Sequence, residues 1–158
     1  MSFNTVKNYL SKNGFRERIY EFDTSSATVA EAASALGCEG KEIAKTMSFM
    51  LDGKAVLIIA AGDTKIDNVK FKAQFHTKAV MLKSDEVEEL TGHPVGGVCP
   101  FCVKEGTKIY ADLSIKRFEN VYPACGSRNS AVKMTPDEIF KYSESLGWVD
   151  VCKTAEQI

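Results

Sequence analysis

Two adjoining runs rich in apolar residues, Lys45 to Leu51 and Lys54 to Ala60, flank the dipeptide Asp52-Gly53. Asp-Gly between two such runs favours a tight hairpin turn, so both are expected to be strands that pair antiparallel. Two capping boxes announce helices. Thr28-Val29-Ala30-Glu31 begins an Ala-rich helix stopped by Gly37, and Thr135-Pro136-Asp137-Glu138 begins another with Gly147 as its stop. Further helices are expected near Asn4 to Asn13, Asp67 to Phe75 and Asp85 to Thr91, the last closed by Gly92. Other strands are expected over Arg18 to Phe22, Ala79 to Leu82, Lys108 to Asp112, Asn120 to Ala124 and Ser130 to Met134. This mixed order, with hairpins, predicts an α+β domain around a curved, largely antiparallel or mixed sheet.

One residue of the first hairpin run breaks its pattern. At a period of two, Lys45 shares a face with Met47, Phe49 and Leu51, while Thr46, Ser48 and Met50 share the other. A lysine on the apolar face either snorkels at the strand end or points into a pocket, where its ammonium would hold a carbonyl or phosphate oxygen.

Composition narrows the class. At 158 residues, 44% hydrophobic and 26% charged, the chain has the proportions of one soluble globular domain, 1–158, able to bury a core without staples. The longest apolar run, Ala55 to Ala61, is too short to span a bilayer, and no basic-then-apolar leader opens the chain. A cytoplasmic location without membrane association is expected. Five irregularly spaced cysteines favour reduced thiols over a disulfide framework, and a net charge of −1 says little about partners. Charge is less even locally. Lys70, Lys72, Lys78 and Lys83 interleave with Phe71 and Phe75 against the single acid Asp67, before Asp85, Glu86, Glu88 and Glu89 reverse the sign. Such a basic segment meets nucleic-acid phosphates or, as the reading held slightly ahead, forms the solvated face of an amphipathic helix.

The candidate chemistry centres on Thr91-Gly92-His93-Pro94-Val95-Gly96-Gly97-Val98-Cys99-Pro100-Phe101. Gly96 and Gly97 can take positive φ and bring main-chain N–H groups close to a ligand, with Pro94 and Pro100 stiffening the flanks. That suits an oxyanion or carbonyl site, although a tight turn with a bulge is the plainer explanation of a glycine pair. Neither phosphate-loop format is present, nor a Gly-x-Ser-x-Gly elbow, nor a His-Glu-x-x-His zinc site. Of the histidines, His76 and His93, the second lies beside the glycine loop, where a surface turn is its plainer role.

Four features in order, Glu42-Ile43-Ala44-Lys45-Thr46, the Thr91 to Pro100 loop, Ile109-Tyr110-Ala111-Asp112, and Val121-Tyr122 leading to Gly126, resemble one family. The chain is similar, from about Thr28 to Phe140, to the YbaK/EbsC-type aminoacyl-tRNA deacylases, free-standing relatives of the editing domain of bacterial prolyl-tRNA synthetases. The resemblance implies a barrel-like mixed β-sheet flanked by helices, and hydrolysis of the ester joining a wrongly attached amino acid to tRNA. It needs no cofactor and no metal. The partners it implies are the aminoacyl-tRNA acceptor end and an aminoacyl-tRNA synthetase. The family's central lysine falls on Lys45, with Gly96 and Gly97 supplying backbone groups as the other catalytic positions. Thr46, His93, Val98, Asp112, Ala124, Cys125 and Gly126 would surround the substrate, although Asp112 also reads as the cap of a short helix near Leu113. An aminoacyl ester is already reactive, so a lysine and a backbone-amide loop would suffice by positioning it and stabilising its oxyanion.

Cys99-Pro100-Phe101-Cys102 competes for attention. It leads into a turn, not a helix, so the redox context is missing, and no second ligand pair completes a zinc site. Incidental thiols come first, zinc second and redox catalysis third; Cys38 and Cys152 read as small core or surface residues. Ala124 and Cys125 stand where some relatives carry serine then glycine, and Cys99 and Cys102 replace small residues, so the edited amino acid, alanine, cysteine or another small one, stays open. A non-catalytic tRNA-binding or synthetase-associated module of the same fold is the alternative.

Overall fold

The computed structural model describes residues 2–154. Its elements are helices α1 (Ser2–Lys12), α2 (Val29–Leu36), α3 (Asn68–Phe75), α4 (Ser84–Thr91) and α5 (Pro136–Tyr142), with nine strands among them. The strands are β1 (Ile19–Glu21), β2 (Ile43–Leu51), β3 (Lys54–Ala61), β4 (Thr64–Ile66), β5 (Lys108–Asp112), β6 (Tyr122–Pro123), β7 (Ser130–Val132), β8 (Trp148–Val149) and β9 (Cys152–Thr154). A mixed five-stranded sheet in the order β6-β2-β3-β5-β8 forms the centre, and two small antiparallel sheets, β1-β7 and β4-β9, extend it. Only β2 and β3 run antiparallel in the central sheet; β6, β5 and β8 each add in parallel. The strand pairings leave this sheet open at β6 and β8.

The hairpin forms as its sequence requires. Asp52 and Gly53 have φ of 52° and 78°, the paired positive angles whose twist matches that of the flanking strands. Both capping boxes are made: the Thr28 and Thr135 hydroxyls accept from the N–H groups of Glu31 and Glu138, each at 3.1 Å. Gly37 and Gly92 close α2 and α4 in the left-handed conformation.

Two expectations need correction. The helix begun at Thr135 stops at Tyr142, short of Gly147, because Glu144 turns left-handed at φ 57° and the Leu146 N–H is drawn to the Ile109 carbonyl at 2.7 Å. Residues 79–82 do not form a strand of the sheet. They touch it through one bridge, Met81 to Phe49, flanked by bonds from Met50 N–H to Val80 C=O (2.8 Å) and Leu82 N–H to Ser48 C=O (3.1 Å).

The sheet's two faces are filled differently. On one, Phe49, Val56, Ile58 and Ala60 pack with Phe71 of α3 and with Val149, Val151 and Cys152. Their rings run on as a ladder, Phe49 to Phe71 at 5.2 Å, Phe71 to Phe75 at 4.8 Å and Phe75 to Tyr110 at 5.2 Å. On the other, Leu57, Ile59, Ile109 and Ala111 pack against Val6 and Leu10 of α1 and Ile139 of α5. That second core takes in Ala44 of β2 but not Thr46 or Ser48, over which a cavity opens.

Candidate functional site

The cavity encloses about 310 Å³ on the Ala44, Thr46 and Ser48 side of β2. Its walls come from the start of α2 (Thr28, Val29, Ala32), the glycine loop (Val95, Gly96, Val98), α4 (Val87), the 81–84 segment, Tyr122 and Ala124, and Ser130 and Ala131 of β7. These are mainly small or apolar side chains, with hydroxyls from Ser48, Thr46 and Ser130 set among them.

An interrupted strand edge gives this wall its chemistry. β3 covers one edge of β2 from Ala44 to Leu51. Along the opposite edge β6 covers Ile43 and Ala44, and residues 80–82 cover Ser48 to Met50. The bonds from Met50 N–H and to Ser48 C=O show that even-numbered residues turn their backbone groups towards this second edge. Thr46, in the uncovered stretch, therefore directs its N–H and C=O into the gap, and neither bonds to another group among the described residues. Its side chain is also unsatisfied: Thr46 Oγ1 is the one buried side-chain oxygen or nitrogen without a hydrogen bond among the described residues. Native proteins rarely leave such groups unpaired away from a ligand, because each unmade bond costs about 1–3 kcal/mol.

The two glycines of the loop divide their work. Gly96 has φ +85° and lines the cavity, and a Cβ there would stand 2.9 Å from Arg128 Nε and 3.1 Å from Ala27 Cβ. Gly97 is buried against the backbone of Ser127, where a Cβ would come within 2.8 Å, and its N–H is spent on the Pro94 carbonyl at 2.9 Å. Gly97 thus locks the loop to its neighbour, and the placement as an exposed amide donor is corrected. The amides of Gly96 and Val98 have no hydrogen-bond partner among the described residues.

Lys45 belongs to the cavity wall, but its ammonium donates to the Thr64 carbonyl, and its side chain lies on the β2 face of Met47 and Phe49. Burial lowers its pKa, offset in part by Cys152 and Asp63. It is neither a free surface charge nor an ammonium already extended towards Thr46. Thr46, Val98 and Ala124 line the cavity.

Four other expected positions lie elsewhere. His93, expected either at the substrate or on a surface turn, is 1% exposed, with Nε2 at 2.7 Å from the Phe101 carbonyl and Nδ1 bonded to the Ser2 hydroxyl. Burial holds its pKa below 6.5. Asp112 is buried beneath β5, accepting from Ser114 N–H and Val151 N–H at 2.9 Å each, the capping role that competed with a substrate role. Cys125 is fully buried in the core. Gly126, at φ +90°, packs against Ser2, not against the cavity. All four hold the surrounding loops in place, which is why their neighbours are at the site and they are not.

The cysteine motif is split by burial. Cys99 is enclosed, burial driving its thiol pKa far up, whereas Cys102 is exposed at φ 53°. Among the described residues no cluster of three or more His, Cys, Asp or Glu side chains is placed to hold a metal ion. No described helix is long and apolar enough to cross a membrane. Sequence reasoning missed the α2 start, Ser48, Met81 and the Arg128 side chain over Gly96. The signal available for Ser48 was its alternation with Thr46 as a polar pair inside an otherwise apolar strand.

Known proteins resemble this chain in sequence and in fold. Residues 23–142 match the aminoacyl-tRNA editing domain family. The uncharacterized protein YwhH of Bacillus subtilis (strain 168) is 48% identical over 157 residues, 99% of this chain and 100% of that one. A proline–tRNA ligase of Staphylococcus aureus (strain Newman) is 36% identical over 95 residues, 60% of this chain but 17% of the ligase. A crystal structure of a candidate trans-editing enzyme for prolyl-tRNA synthetase superposes with a TM-score of 0.84 at 27% identity, across 96% of this chain and 97% of the other.

Proposed function

This chain belongs to the aminoacyl-tRNA editing domain family, and from that premise we propose that it is a hydrolase acting in trans on the ester of a mischarged tRNA. The observation that carries the reading is the interrupted edge of β2, which leaves the Thr46 N–H unpaired in the gap beside the cavity, next to an enclosed and equally unpaired Thr46 hydroxyl. Unpaired donors fixed in a rigid strand are what a developing oxyanion requires, because they need no reorganisation when charge appears on the carbonyl oxygen. The unpaired amides of Gly96 and Val98, residues of the same lining, supply further donors in this reading. Lys45 leaves β2 on the opposite face near the start of the strand, and in this reading its partly buried ammonium takes part by releasing the Thr64 carbonyl and turning round the strand towards a substrate oxygen.

In the reaction, the oxygen of a water molecule bonds to the acyl carbon, the ester C–O bond breaks, and the ribose hydroxyl leaves with a proton while the amino acid departs as its carboxylate. The lining residues include no carboxylate and no imidazole, so the proton acceptor in this reading is a group of the substrate itself. A cavity of about 310 Å³ with apolar walls suits a small acyl group, such as alanine or cysteine carried on tRNA for proline.

The test is release of amino acid from a panel of mischarged tRNAs, including alanine and cysteine on tRNA for proline, by the wild type and Lys45→Ala. Hydrolysis of one substrate is expected, reduced roughly a hundredfold or more in the variant, the size of a lost oxyanion contact. No hydrolysis across the panel, with tRNA still bound, would overturn the reading in favour of a binding module.

A further inference from the structure

We propose that the groove between α3 and residues 78–79 seats the phosphate backbone of the tRNA strand that leads into the cavity, an inference that rests on the deacylase reading above. The groove, of about 760 Å³, is lined by Asn68, Val69, Lys72, Ala73, Lys78 and Ala79. Lys72 and Lys78 are both exposed, and neither takes part in an ion pair among the described residues. Lys70 of the same helix shows the contrast: its ammonium is spent on Asp150 and the Cys152 carbonyl, each at 3.1 Å. Two unpaired cations flank a floor on which Val69 is 81% exposed, so the groove offers charge to phosphates and apolar surface to sugars.

One chain segment borders both the groove and the cavity. From Lys78 the chain runs through Ala79 and Val80 to Met81, which is 60% exposed yet lines the cavity, then to Leu82 and Ser84 in the cavity wall. Beyond Ser84 the sign reverses at Asp85, Glu86, Glu88 and Glu89 of α4, which bounds the track and directs a polyanion to the α3 side. Alternating lysine and apolar surface carries no base-edge readout, so this contact serves any tRNA sequence equally.

The test uses the full chain, with Lys72→Gln/Lys78→Gln compared with wild type in two assays. The first is binding of bulk unacylated tRNA between 50 and 200 mM salt. We expect affinity at low salt to fall about tenfold and the slope of log K against log salt to lose about 1.4–1.8, the share of two phosphate contacts. The second is hydrolysis of a 3′-O-aminoacyl adenosine, which reaches the cavity but not the groove, and it is expected to be unchanged. Unchanged tRNA affinity and slope would overturn the inference, the more so if the variant loses binding to prolyl-tRNA synthetase, which would give the groove to a protein partner. Equal loss of adenosine-ester hydrolysis would overturn it too, by assigning the lysines to the cavity. Failure of the deacylase reading shows separately, as no hydrolysis by the wild type, while the binding assay still decides the groove.

Discussion

The two faces of β2 are built from alternate residues of one strand and do opposite things. Lys45, Met47 and Phe49 point to a side filled at Phe49, which is 1% exposed and meets Phe71, Val149 and Val151, and occupied near the strand's start by the Lys45 ammonium on the Thr64 carbonyl. Ala44, Thr46 and Ser48 point to a side where small and hydroxylated residues leave a cavity, and beside it the N–H, C=O and hydroxyl of Thr46 are all unpaired. Large side chains on one face make the strand rigid, and small ones on the other turn that rigidity into a fixed set of donors. A site that must present backbone amides without reorganising gains from being backed by a closed core, because the cost of holding the unpaired edge open is met by packing on the far side.

Removing the backing should therefore unfold the protein without altering the chemistry. Phe71→Ala deletes the ring at the centre of the ladder, and a loss of about 3–5 kcal/mol in unfolding free energy is expected in urea titration. Activity per folded molecule should stay near wild type; a fall beyond the folded fraction would break the separation of the faces. Thr46→Val probes the other side with nearly unchanged volume. Deacylation should drop roughly 10- to 100-fold, as expected for about 1–3 kcal/mol of lost hydrogen bonding, while thermal stability holds or rises because an orphan hydroxyl is replaced by a methyl. A variant less stable and fully active would show that Thr46 serves the fold alone.

Much of this was legible in the residues. The Asp52-Gly53 turn, the caps at Thr28 and Thr135 and the stop at Gly92 are local chemistry, and each forms where the sequence places it. The short strands β4, β8 and β9 were not legible, since two or three residues carry no periodicity and exist only through their partners. The site was legible in outline. Thr46 sits on a strand whose register follows from the Asp52-Gly53 turn, and Gly96, Val98 and Ala124 sit in loops that the family resemblance marked. The loops holding His93 and Gly126 fold back onto the start of α1, a contact that ninety or more residues of intervening chain conceal. The open edge at Thr46 escaped as well, because it depends on where β6 ends and residues 80–82 begin to pair, both tertiary facts.

The smallest expected effect lies where the two faces meet, just past the end of β3. Asp63 accepts from Arg117 through both carboxylate oxygens, at 2.5 and 3.1 Å, and this pairing holds its pKa below the ordinary 3.8 despite partial burial. A carboxylate lowered on folding stabilises the native state above its unfolded pKa, and that contribution disappears as pH falls through the lower folded value. Because both side chains are partly exposed, Asp63→Asn should cost at most about 1 kcal/mol at neutral pH, with wild type and variant converging below pH 3.8 when unfolding is measured across pH. Asp63 also favours the charged form of Lys45, against the burial that disfavours it. Its removal leaves burial less opposed, so the alkaline limb of the pH–activity profile should move to lower pH in Asp63→Asn if the Lys45 ammonium takes part in the reaction. An unmoved limb with the same small loss of stability would confine Lys45 to bracing β2 against β4 through the Thr64 carbonyl, and would leave the chemistry to the Thr46 edge and the glycine loop.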